Sequence, residues 1–244
     1  MRTARGLATA LLSAAIVTGA AGCDADGGTT PGAVPASGAA SGVVADGGRL
    51  GQSEAATARA NSATVTLDLT VDGRPLAGEV LAGADGRCLG RLTSGNGRAD
   101  LLRTEDTLWI HPDAAFAADW FAPGKEPAAG KYLQFKNGTA PKAMAGACAA
   151  FPANGEVRAA LLAGVTEAGE RKVGTEAAKL YAARLADGAA EFAVAAEGEP
   201  LLLQVVRTEG GATGSQTFAY FSSPVEVAKP PAAEVVDGTV YLKG

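Results

Sequence analysis

The sequence predicts an α+β domain: an antiparallel sheet with one apolar face and a helical segment to cover that face. Three observations predict it. Thr64-Val65-Thr66-Leu67-Asp68-Leu69-Thr70-Val71 alternates polar and apolar residues without a break, the mark of a half-buried strand. Turn signals then recur at short spacing, at Asp72-Gly73, Asp85-Gly86 and Gly95-Asn96-Gly97, and such pairs close hairpins. Residues 112–164 lose the two-residue period and become rich in alanine before strands resume. A sheet with one apolar face has to cover it, and the helical middle is the natural cover.

The chain starts with a leader. Arg2 and Arg5 give a positive start, and Leu7 to Val17 form an apolar run broken only by Thr9 and Ser13, the layout of a secretory signal peptide. Gly19-Ala20-Ala21-Gly22-Cys23 follows. It resembles the lipobox of bacterial lipoproteins, although Ala20 is smaller than the aliphatic residue usual at that place. The resemblance implies cleavage before Cys23, diacylglycerol on the Cys23 sulfur, and a protein held outside the cell on the outer face of its membrane. Ordinary cleavage that leaves Cys23 a plain cysteine stays open. A membrane-spanning helix needs about 20 apolar residues, and this run meets glycine too soon.

Residues 24–53 are Gly, Ala, Ser, Thr and Pro with few large apolar side chains. Such a segment buries too little surface to fold and serves as a tether, with a reach of roughly 30 Å. The expected division is therefore a leader at 1–22, a lipidated cysteine and tether at 23–53, and a folded domain at 54–244. Losing residues 1–22 removes Arg2 and Arg5 and no acid, so 21 basic residues become 19 against 26 acidic ones, a net charge of −7. That balance excludes nucleic acid as a partner, since nucleic acid calls for a basic footprint. It excludes a polybasic grip on anionic lipid as well.

Within the domain, Glu54 to Ser62 reads as a short helix. The alternating stretch and Leu76 to Ala82 form a hairpin, followed by strands at 87–93, 99–103 and 107–111. Five strands on short turns make a meander with one apolar face. Residues 112–121 read as a helix with Pro112 near its first turn, and Phe116 and Trp120, four apart, share one side of it. Residues 131–135 fit a strand or an extended entry to the next helices. Residues 140–150 and 156–163 look helical. From Arg171 onward strands return at 177–185, 191–195, 201–207 and 216–221, and Pro230-Pro231 opens an extended tail.

With Cys23 assigned to lipid, Cys88 and Cys148 remain as one pair in an oxidising compartment, where disulfides persist. Two buried free thiols are the alternative. Neither cysteine has a second ligand at zinc spacing, and no metal or cofactor is expected. His111, the single histidine, has no marked nucleophile beside it. No Gly-x-Ser-x-Gly elbow, phosphate loop or His-Glu-x-x-His helix occurs, so an enzyme is not expected.

A set of patches in order carries a resemblance: Gly86-Arg87-Cys88-Leu89-Gly90, residues 102–109, Pro112-Asp113-Ala114-Ala115-Phe116, Gly130-Lys131-Tyr132-Leu133, Cys148, and residues 195–203. Together, from about residue 54 to 236, they resemble secreted lipoproteins of high-GC Gram-positive bacteria related to the LolA-like and LppX/LprG-type carriers. His111 departs from the lysine or apolar residue expected there. The resemblance implies a strongly curved sheet, an open half-barrel, with helices in its mouth and an apolar cavity for acyl chains between the two. Val65, Leu67, Leu69, Val80, Leu201, Leu203 and Val205 are the candidate cavity lining, and Phe116 and Trp120 the candidate lid. The expected protein is a monomer, tethered to the membrane, that binds or carries a lipid or other apolar molecule. The alternative is a ligand-free sensor or scaffold that recognises another envelope protein, with the same shape and a filled interior.

Overall fold

The alternating stretch forms β1 (Ser62–Val71), which lies near the middle of a curved, unclosed sheet of twelve strands among the described residues. A computed structural model describes residues 47–122, 130–136 and 138–242, within the unit Ala40–Gly244. The leader, Cys23 and the tether up to residue 46 lie outside the described residues. On one side of β1 stand β2 (Arg74–Gly83), β3 (Cys88–Ser94), β4 (Gly97–Arg103), β5 (Thr107–Pro112) and β6 (Tyr132–Lys136), the meander read from the turns. On the other side stand β11 (Ala212–Ala219), β10 (Leu202–Arg207), β9 (Gly188–Ala195), β8 (Glu176–Leu185) and β7 (Val165–Val173). These pairs are antiparallel, while β12 (Val235–Asp237) lies parallel to β6 at the far edge.

Register explains the core. Val65 faces Val80 and Phe218, Leu67 faces Gly78 and Gln216, and Leu69 faces Leu76 and Gly214. The Val65–Val80 row continues outward through Gly90 to Leu101, Ile110 and Leu133, and the Leu67–Gly78 row through Leu92 to Ala99. These leucines and Ile110 are all buried, on one face because side chains two apart share it. Glycine allows the bend at the centre. Gly78 (φ +147°) and Gly214 (φ +118°) flank β1, and a Cβ on either would lie 2.1 Å from the carbonyl oxygen of Arg91 or Asp68. Curvature of this kind needs a residue without a side chain.

Among the described residues four α-helices pack inside the curve: α1 (Gly48–Arg59), α2 (Ala114–Trp120), α3 (Lys142–Cys148) and α4 (Asn154–Ala163). Helix α1 begins at Gly48, inside the segment expected to be tether. Leu50 is fully buried there, and the Arg49 guanidinium donates to the carbonyls of Ala195 and Gly198 at 2.8 and 3.0 Å. Pro112 ends β5 instead of starting a helix, and Asp113 caps α2. Its Oδ1 accepts from Phe116 N–H at 2.8 Å and its Oδ2 from Arg98 N–H at 3.0 Å.

Three strands differ from expectation for related reasons. β7 is an edge strand whose one buried residue is Val165, so it shows no apolar period before Arg171. β11 begins at Ala212, four residues before Gln216, by pairing with β1; Ala212-Thr213-Gly214-Ser215 holds no large apolar side chain, so the sequence shows no strand period there. β12 is three residues long, too short for any pattern.

The opposite face of the sheet carries a second, smaller cluster. Ala178, Leu180, Ala193, Ala195 and Leu203 meet there, with Leu201 packed against them. Arg171 on β7 reaches across that face to Glu191 and Gln204.

Candidate ligand cavity

Between the centre of the sheet and α3 lies a cavity of about 860 Å³, within the ~300–1,000 Å³ of most small-molecule sites. Its floor is Leu67, Leu69 and Val71 of β1 with Ala212 and Gln216 of β11. Its roof is one stripe of α3 and the residues just after it, Ala143, Ala147 and Ala150. These lie on one helical face by spacing, and alanine is why space remains. Ala58 and the segment 152–156 close the remaining side. Asp72, Lys142, Gly146 and Ala149 are exposed and form a rim open to solvent.

Several contacts fix the cover. Cys88 at the start of β3 is bonded to Cys148 at the end of α3, with Cα atoms 5.5 Å apart and both side chains buried. Glu156 Oε1, beside the cavity, accepts from Arg207 Nη1 at 3.1 Å, and the other arm of Arg207 reaches Asp187 Oδ2 at 2.6 Å. Burial opposes the Arg207 charge, but the two carboxylates outweigh it and hold the guanidinium pKa above its ordinary value. Arg158 pairs with Glu54 and ties α4 to α1.

The candidate lining residues separate into three groups. Leu67 and Leu69 line the cavity. Val65, Val80 and Val205 face the same side but are buried in the packed core beside it. Leu201 and Leu203 belong to the cluster on the opposite face, which corrects their assignment. The register shifts between Leu202 and Gln204, so a bulge at that point puts Leu202 and Val205 inside and Leu203 outside. Strict alternation had placed 201, 203 and 205 together.

The candidate lid is also corrected. Phe116 and Trp120 are buried in the core under α2, against β3, β4 and β5, away from the cavity. Their rings stack with centroids 6.0 Å apart, and Arg74 Cζ sits 3.9 Å over Trp120. Aromatic side chains fill their part of the bowl, while the alanines of α3 leave theirs open. Gln216, Val71 and the alanine stripe were not anticipated. The 143/147/150 spacing was the available signal. His111 stacks on Tyr132 with ring centroids 4.6 Å apart, away from the cavity.

Among the described residues no helix is long and apolar enough to cross a membrane. No group of three His, Cys, Asp or Glu side chains among them could hold a metal ion.

Two solved structures are similar to this chain in fold. LprF from Mycobacterium bovis is similar over 75% of this chain and 95% of its own, with a TM-score of 0.50 at 13% identity. The chain has the fold of LprF. The lipoprotein LppX from Mycobacterium tuberculosis is similar over 74% of this chain and 96% of its own, with a TM-score of 0.49 at 14% identity. No family model matches the chain, and no curated protein does either.

Proposed function

We propose that this chain is a membrane-tethered extracytoplasmic domain that binds or carries a lipid or other apolar molecule in the cavity between β1, β11 and α3. The observation that carries the reading is the cavity itself, about 860 Å³ with Leu67, Leu69, Val71 and an alanine stripe as walls. A sheet and helix built only to pack would close on each other there. Burial of an acyl chain contributes about 0.8 kcal/mol per methylene, so even half a chain inside would compete with the bilayer. The lipobox at residues 19–23 supports a lipid anchor on Cys23, and the tether through residue 46 would let the domain stand off the membrane or lean onto it.

The test is to weigh the native protein before and after extraction with organic solvent. A bound mass that extraction removes supports the carrier. A protein of unchanged mass that takes up no fluorescent fatty acid leaves the ligand-free sensor or scaffold.

A further inference from the structure

We propose that Gln216 is the hydrogen-bonding anchor of the cavity, and that it selects a ligand whose polar group is uncharged and both donates and accepts hydrogen bonds. This rests on the reading of the cavity as a site for an acyl ligand.

Of the five described residues that floor the cavity, Leu67, Leu69, Val71 and Ala212 are apolar and Gln216 is not. Gln216 lies in the row between Leu67 of β1 and Val205 of β10, where a leucine or valine would complete the face. Its backbone belongs to the sheet. Its side chain lines the cavity, half-buried, and makes no hydrogen bond among the described residues. Gln204, one strand away and facing outward, shows the contrast: its Nε2 donates to Thr217 Oγ1 at 2.9 Å and its Oε1 accepts from Arg171. One glutamine is satisfied by protein. The other faces empty space.

A primary amide offers one acceptor oxygen and two N–H donors. An ester with a neighbouring hydroxyl satisfies both ends: its carbonyl accepts from Nε2 and its hydroxyl donates to Oε1. A free carboxylate only accepts, so it leaves Oε1 of the amide without a donor. Among the described residues Lys142 is the one cation on the lining; it and Asp72 are both exposed, where water and salt screen them alike, and Glu156 is paired with Arg207. A plain hydrocarbon leaves the amide without a partner. Leu67, Leu69 and Val71 would hold the chain, and Gln216 would hold the head.

The test uses the delipidated full chain and three competitors against a fluorescent fatty acid: monopalmitoylglycerol, palmitate and hexadecane. The expected order of affinity starts with monopalmitoylglycerol. In Gln216→Leu its affinity falls about 3- to 10-fold, the value of one hydrogen bond, while hexadecane binds as well or better. Gln216→Met, unbranched and of similar length, repeats the measurement should the leucine variant melt early. Equal affinities for monopalmitoylglycerol in all three proteins overturn the anchor and leave the cavity reading intact. Palmitate binding tighter than monopalmitoylglycerol overturns the choice of an uncharged head. A wild-type chain that takes none of the probes defeats the cavity reading itself.

Discussion

Cys88 is bonded to Cys148, 60 residues further along the chain, and the bond joins β3 to the last turn of α3. The floor of the bowl and the roof of the cavity are thus linked covalently. Closing a loop of that length contributes about 4 kcal/mol on the chain-entropy account. Replacing both cysteines by serine should therefore lower unfolding stability by roughly 2–4 kcal/mol, read from urea midpoints. Hydrogen exchange should rise most in α3. A loss below about 1 kcal/mol, or exchange unchanged in α3, would show that packing alone holds the cover.

Gly146 is on the exposed rim of α3, and a Cβ built there meets nothing within 4 Å. Glycine inside a helix costs about 0.5–1 kcal/mol relative to alanine. Gly146→Ala should raise stability by that amount. A decrease would mean that the rim has less room than the geometry shows.

Asp113 caps α2 and joins it to β4 through Arg98 N–H. The Phe116 N–H bond, helped by Arg98 and opposed by slight burial, holds its carboxyl below the ordinary 3.8. A lowered folded pKa means the stabilisation is complete above the unfolded value and lost as pH falls through the folded one. Asp113→Ala should cost about 1 kcal/mol near neutral pH. The gap from wild type should shrink below pH 4 as the wild-type carboxylate protonates. A gap that stays constant down to pH 2 would remove the charge from the account.

Arg207 is largely withdrawn from water, its side chain 14% exposed, and it joins β10 to Glu156 of α4 and to Asp187. Removing one partner of such a group strands the others, and full burial would cost about 3–5 kcal/mol. Glu156 is 29% exposed and Asp187 71%, so water offsets part of it. Arg207→Met should lose roughly 2 kcal/mol by thermal or urea unfolding, and Glu156→Gln less. Equal and small losses in both would make the cluster incidental to α4.

Much of the fold was legible because its signals are local. The alternation at 64–71 and the glycine turns define the meander, and both are matters of neighbouring residues. The opposite holds for Leu201 and Leu203. Their face depends on a bulge at β10 that no residue type announces, and one extra residue reverses every side chain beyond it. The lid failed for another reason. Phe116 and Trp120 do share one helix face, but Asp113 alone separates α2 from β5, so the helix turns back over β3, β4 and β5 and not over β1 and β11. The void itself is a property of small residues, and Ala143, Ala147, Ala150 and Ala212 carry weak patterns by nature. Leu50 shows the same limit: the glycine-rich run at 47–51 hides a helix start whose Leu50 is buried and whose Arg49 bonds to the carbonyls of Ala195 and Gly198.

The most direct measurement of the central claim is uptake of a fluorescent fatty acid by two leucine variants. Leu69→Trp puts an indole into the cavity, whereas Leu203→Trp alters the cluster on the opposite face. With the two melting curves taken alongside, the account predicts that Leu69→Trp remains folded and loses uptake, while Leu203→Trp retains it. Full uptake in a folded Leu69→Trp protein would contradict the cavity as the ligand's place.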